Sequence, residues 1–182
     1  MRVSAVHLVP IHLQSQPPVL PHLVAHLGRA FGVSVLTHPL RFDPEIAFDR
    51  SRGQYHSTAL LEQLLAEETG NDSRVLGVAG VDLFIPILTY VFGEAQLEGR
   101  AAVVSTYRLN SALYGLPADD RLLVDRLVKE ATHELGHTYG LLHCPDPGCV
   151  MRSSTYVEDI DLKSASFCGR CAPALQPPRA AG

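Results

Sequence analysis

His133-Glu134-Leu135-Gly136-His137-Thr138-Tyr139-Gly140-Leu141-Leu142-His143 is the most informative stretch of this 182-residue chain. Side chains four apart on a helix project from one face, so His133 and His137 can present two imidazoles to one metal ion. Glu134, one step round, stands beside such an ion without ligating it, where its carboxylate can take a proton from water. Gly140 has no Cβ and can adopt the left-handed conformation that ends a helix; the turn after it would bring His143 round as a third ligand. Three protein ligands leave a fourth tetrahedral position open, which separates a catalytic zinc from a structural one. At this chain's own content of His, Glu and Gly, the five-position pattern arises by chance in about one such chain in ten thousand. A bare HExxH would leave room for two solvated helix histidines; the glycine and the third histidine make that reading poor.

Upstream, Pro117-Ala118-Asp119-Asp120 is a helix-start signal, because acidic side chains there cap free amide hydrogens and suit the positive end of the helix dipole. The pattern predicts a helix over residues 119–139, with Leu123, Leu127, Ala131 and Leu135 on one side. Earlier still, strand and helix signals alternate. Residues 3–9 read as a strand, 21–30 as a helix and 33–37 as a second strand, a βαβ start. A polar connection over residues 41–52 leads to a helix beginning at Ser57, carrying Leu60, Leu61, Leu64 and Leu65, and stopped by Gly70-Asn71-Asp72. Residues 74–81 and 100–106 read as further strands, and residues 82–98 as loop or irregular strand. Together these give an α/β (α+β) fold in which a mixed sheet and its helices carry the site helix.

Downstream of Gly140 the chain becomes loop-rich, and all four of its cysteines fall there. Cys144-x4-Cys149 and Cys168-x2-Cys171 are two hooks at spacings close to those of structural zinc sites, and four thiolates would close a tetrahedron. We read them as a second, non-catalytic zinc; successive residues of an extended chain point to opposite sides, so His143 and Cys144 can serve different ions back to back. Two disulfides, a redox role for Cys168-Gly169-Arg170-Cys171, and Cys144 as a fourth ligand masking the catalytic metal are the other readings these positions allow. One domain of residues 1–182 is expected, with a part over 1–140 that includes the zinc helix, a small zinc-braced part over 141–171, and a frayed Pro/Ala tail over 172–182.

Composition excludes several functions. A formal charge of −4 with scattered Lys and Arg disfavours nucleic acid. The most apolar stretch, residues 83–92, contains Pro86 and falls far short of the roughly 20 residues that span a bilayer. The amino-terminal stretch is interrupted by His7, Pro10 and His12 where a signal peptide needs an apolar core, so a cytoplasmic protein is expected; a monomer is expected as well. His7, His12, His22, His26, His38 and His56 match no motif and read as surface or satisfied core residues.

The run from His133 to His143, then Cys144, Cys149, Met151, Cys168 and Cys171, resembles the archaemetzincin family of the metzincin clan of zinc peptidases. The strong likeness covers residues 132–171. It implies hydrolysis of a peptide or protein substrate by metal-activated water with Glu134 as general base, and two zinc ions per chain. It also implies that Met151 forms an apolar floor beneath the metal, and that the strand at residues 100–106 is the sheet edge above the cleft, to which an extended substrate adds. Some metzincins place a zinc-binding tyrosine two residues after the methionine; here that residue is Ser153. The competing reading from another class is a zinc-stabilised binding or scaffold protein with little turnover.

Overall fold

The computed structural model describes residues 3–13, 18–67, 69–70 and 72–175. Its main sheet has five strands: β1 (Ala5–Ile11), β2 (Ser34–Thr37), β5 (Ser73–Ala79), β7 (Gly93–Ala95) and β8 (Ala101–Ser105), in the order β2-β1-β5-β8-β7. The first four run parallel and β7 runs antiparallel to β8. Parallel neighbours need a crossover, and α1 (Val19–Phe31) supplies the first, between β1 and β2. A second sheet is formed by β3 (Phe48–Asp49), β4 (Gln54–His56) and β6 (Leu83–Phe84) in sequence order.

Strand periodicity divides the core in two. Val6 and Leu8 of β1, Leu76 and Val78 of β5, and Ala102 and Val104 of β8 join the apolar residues of α1 and of the long helix α3 (Asp120–Thr138). Their sequence neighbours Val9, Ile11, Val75, Ala79, Ala101 and Val103 face the opposite side, with Leu60, Leu61 and Leu64 of α2 (Ser57–Leu65). Leu123, Leu127, Ala131 and Leu135 are all buried in the first of these cores, so the expected apolar side of α3 is the one that meets the sheet. A short helix, α4 (Val157–Leu162), adds Val157 and Ile160 to the same core.

Two expectations need correction. The strand at residues 100–106 is not the sheet edge: β8 is paired on both sides, with β5 and with β7, and all five of its residues are buried. The edge is β7, inside the segment read as loop or irregular strand. In addition, α2 ends at Leu65, where the N–H of Ala66 turns back to the carbonyls of Gln63 and Leu64, five residues before the anticipated stop at Gly70. Of the carboxy-terminal tail, Ala172–Leu175 forms a 3-10 turn and residues 176–182 lie outside the described residues. Among the described residues, no helix is long and apolar enough to cross a membrane.

Candidate active site

The site begins with how α3 starts and stops. Asp119 caps it, its Oδ1 accepting the N–H groups of Arg121 and Leu122, both at 3.0 Å. At the other end, Leu141 N donates to Gly136 O at 3.1 Å and Gly140 N to His137 O at 2.9 Å, with Gly140 at φ 87°. That is the two-bond Schellman termination, and it needs a residue without a Cβ at the left-handed position. The chain then doubles back, and His143 returns to the two helix histidines. Donor nitrogens of His133, His137 and His143 lie within 4.8 Å of one another.

Hydrogen bonds fix the tautomers. His133 Nδ1 is 2.8 Å from Val150 O and His137 Nδ1 is 2.7 Å from Leu141 O. A carbonyl only accepts, so each Nδ1 carries the hydrogen and each Nε2 presents a lone pair. Those two Nε2 atoms are 3.1 Å apart. Two lone pairs at that distance repel unless a cation lies between them, and the edge of a tetrahedron with zinc–nitrogen bonds of the usual length is about 3.3 Å. The donor set therefore fits a zinc ion. Burial, with Lys163 adding repulsion, holds the His133 imidazole well below its ordinary pKa, and burial lowers His137 in the same direction. Neutral rings are what a metal requires.

Glu134 is buried against the edge strand, and burial, reinforced by Glu130, pushes its carboxyl well above the usual carboxylate range. A bound cation works in the opposite direction. The approach is tight: a Cβ on Gly93 of β7 would stand 2.6 Å from Glu134 Cγ and 2.6 Å from Val103 O. Two hollows meet at His133, Glu134 and His143. One, of about 420 Å³, runs between residues 88–93 and 153–156 and includes Glu130 in its lining. The other, of about 360 Å³, runs along Gly93, Glu94 and Ala95 toward Leu97, His137 and Leu142.

Immediately behind, Cys144, Cys149, Cys168 and Cys171 come together, their sulfurs within 4.8 Å of one another and none joined in a disulfide. Cys144 Sγ and Cys168 Sγ are 3.8 Å apart, close to the tetrahedral edge of about 3.8 Å that zinc–sulfur bonds give. Backbone N–H groups of Cys171 and Arg170 pull the Cys168 thiol down to about 6, favouring a thiolate. Burial pushes the Cys171 and Cys149 thiols up. Met151 is fully buried in this cluster's apolar surround, and a Cβ on Gly136 would stand 2.5 Å from its Sδ. Gly136 thus lets the 149–152 turn lie against the helix between the two histidines.

The structure brings together the histidines and, beside them, Glu134, the cysteines and Met151 that the sequence singles out, and it adds Gly93, Gly136, Glu130 and Lys163, which the sequence does not. Gly136 occupies a variable place in its motif, and Glu130 and Lys163 carry a signal only once folding brings them together, with Lys163 Nζ 2.7 Å from Glu130 Oε1. Of the unassigned histidines, His7 pairs with His38, His12 with Glu45, and His56 stacks on Phe84.

Comparisons with known proteins meet this geometry. The profile of Peptidase family M54 matches residues 39–177. Archaemetzincin from Methanopyrus kandleri is 49% identical over 133 residues, covering 73% of this chain and 72% of that protein. Archaemetzincin from Methanocaldococcus jannaschii is 40% identical over 158 residues, covering 87% and 86%. The crystal structure of the Methanopyrus kandleri protein superposes with a TM-score of 0.82 at 40% identity, covering 95% of this chain and 93% of that one. That of Archaeoglobus fulgidus archaemetzincin, complexed with malonate, gives 0.79 at 36% identity, covering 93% and 99%. Fold, site and likeness together define the class, a zinc metallopeptidase acting on peptides or proteins. Within that class the chain belongs to peptidase family M54, the archaemetzincins.

Proposed function

We propose that His133, His137 and His143 hold the catalytic zinc of a metzincin-type peptidase, that Glu134 is its general base, and that Cys144, Cys149, Cys168 and Cys171 hold a second, structural zinc. The observation that carries this is the pair of Nε2 lone pairs 3.1 Å apart, each ring locked by a backbone carbonyl, with the Glu134 carboxyl beside them. Zinc bound there would supply Lewis acidity, acidifying water and polarising a scissile carbonyl. Glu134 takes the proton of the attacking water on its carboxylate and passes it to the leaving amine. Met151 packs beneath the ligands as the floor and ligates nothing.

An extended substrate adds antiparallel to β7, the sheet edge, whose residues line one of the hollows. Gly93 keeps that edge close to Glu134. Four free cysteines suit a reducing compartment such as the cytoplasm.

Elemental analysis with and without chelator, run beside digestion of a peptide library, tests the reading. Two zinc ions per chain are expected, one removed readily and one retained, and Glu134→Ala should keep both while losing turnover by about 100-fold or more. Equal activity in wild type and Glu134→Ala would reject Glu134 as the base. Retention of the metal without any hydrolysis in wild type would favour a binding protein.

A further inference from the structure

Lys163, the residue after α4, takes no part in the steps above, yet its side chain is fully buried beside them. Its Nζ lies 2.7 Å from Glu130 Oε1 and donates to the carbonyl of Arg152 at 3.0 Å. Glu130 is on α3, one turn before His133 and Glu134, and is itself buried. Arg152 closes the turn that carries Val150 and Met151, its N–H donating to Cys149 O.

Stability alone is a poor account of this arrangement. Desolvating an ammonium and a carboxylate is costly, and well-packed apolar residues often replace such a pair without loss. The two acceptors say more. One belongs to the helix and the other to the turn, and those two elements must stand in fixed relation for His133 Nδ1 to reach Val150 O at 2.8 Å. That bond sets the tautomer and the aim of the His133 ring. His137 is oriented differently, by Leu141 O at the end of its own helix.

We propose that Lys163 is a positioning residue for the metal centre: by tying the Glu130 turn of α3 to the 149–152 turn, it holds His133 in the orientation a metal ion requires. The inference rests on the three-histidine reading. Partners of a ligand's other ring nitrogen commonly change metal affinity about 10- to 100-fold when removed, and Lys163 acts one contact further out, through the turn that carries that partner.

The test compares wild type, Lys163→Met and the double variant Glu130→Gln/Lys163→Met. Zinc affinity is measured at each site by competition with a chromophoric chelator. Cobalt(II) substitution tells the sites apart, since only the cysteine cluster gives a thiolate charge-transfer band. The single variant leaves a buried carboxylate without its counter-charge and can lose stability for that reason alone. The double variant removes this burden and keeps the test readable. Both variants are expected to hold the histidine-site metal about 10-fold or more weakly, with the cysteine-site affinity unchanged. A folded double variant that binds histidine-site metal as tightly as wild type overturns the proposal. So does equal weakening of both sites, which is what a merely structural contact gives. Wild type with no metal on the histidines overturns the three-histidine reading itself, and that result appears before any substitution is made.

Discussion

One peptide bond separates two very different clusters. His143 is exposed and turns to the imidazoles of α3; Cys144 is buried and turns to the other three cysteines. Around the histidines burial falls from His133 through His137 to His143, and two hollows open onto them. Around the cysteines, three of the four are themselves buried and Leu141, Val150 and Met151 pack against them. Packing cannot brace His143 where the two hollows open. The closed cluster next door can, because it fixes Cys144 and therefore the backbone from which His143 projects. On the proposed reading, chemistry and rigidity are supplied by adjacent residues.

The largest effect should come from breaking the closed side. Cys149→Ser is expected to cost more than about 4 kcal/mol of unfolding free energy, the range associated with loss of a structural metal, and to weaken zinc at the histidines as well. His143→Ala should empty only the histidine site, and in chelator its urea midpoint should stay near that of wild type. Urea melts combined with elemental analysis read both outcomes. A Cys149→Ser protein that melts like wild type and keeps both metals would dissolve the distinction between brace and centre.

A smaller effect is expected on the open side from Gly93→Ala. The added Cβ would meet Val103 O and Glu134 Cγ, each at 2.6 Å, and the carbonyl belongs to paired backbone that cannot move aside. Glu134 or the edge strand must shift instead. Misplacement of a catalytic group on the order of 1 Å costs about 100-fold in turnover, so activity should drop by that factor while metal content at both sites is unchanged. Loss of metal from the cysteines in this variant would mean that the two sides are less independent than their burial implies.

How legible each region is in the sequence follows the same division. The α3 histidines sit on a periodic helix with an Asp119 cap and a glycine stop, all local signals, and the two cysteine hooks carry their spacing with them. The sheet edge, by contrast, depends on pairing partners. The segment Gly93–Ala95 has no strand pattern of its own and becomes the edge because β8 offers it a partner. Ala101–Ser105 does carry a local signal: an unbroken run of small and β-branched residues marks a strand buried on both faces, which is an interior strand. Glu130 and Lys163 are 33 residues apart, so no local pattern could join them.

The smallest expected effect is an acid-dependent loss of stability that belongs to neither cluster. Acid also acts on a histidine pair outside both clusters. His7, buried on β1, has its Nδ1 2.7 Å from His38 Nε2. Burial, with repulsion from His38, holds the His7 imidazole below its ordinary pKa, an effect Asp72 only partly offsets. The unfolded chain therefore binds more protons than the folded one between the lowered folded pKa and about 6.5. This contribution to stability is fully present above that window and is lost as pH falls through it. His7→Gln keeps a hydrogen-bonding group beside His38 but no titration. Its urea midpoint, measured over a pH series with chelator present throughout, should fall less steeply below pH 6.5 than that of wild type. Identical slopes would assign the whole acid sensitivity to other groups and make the metal-free histidine centre the first place to look.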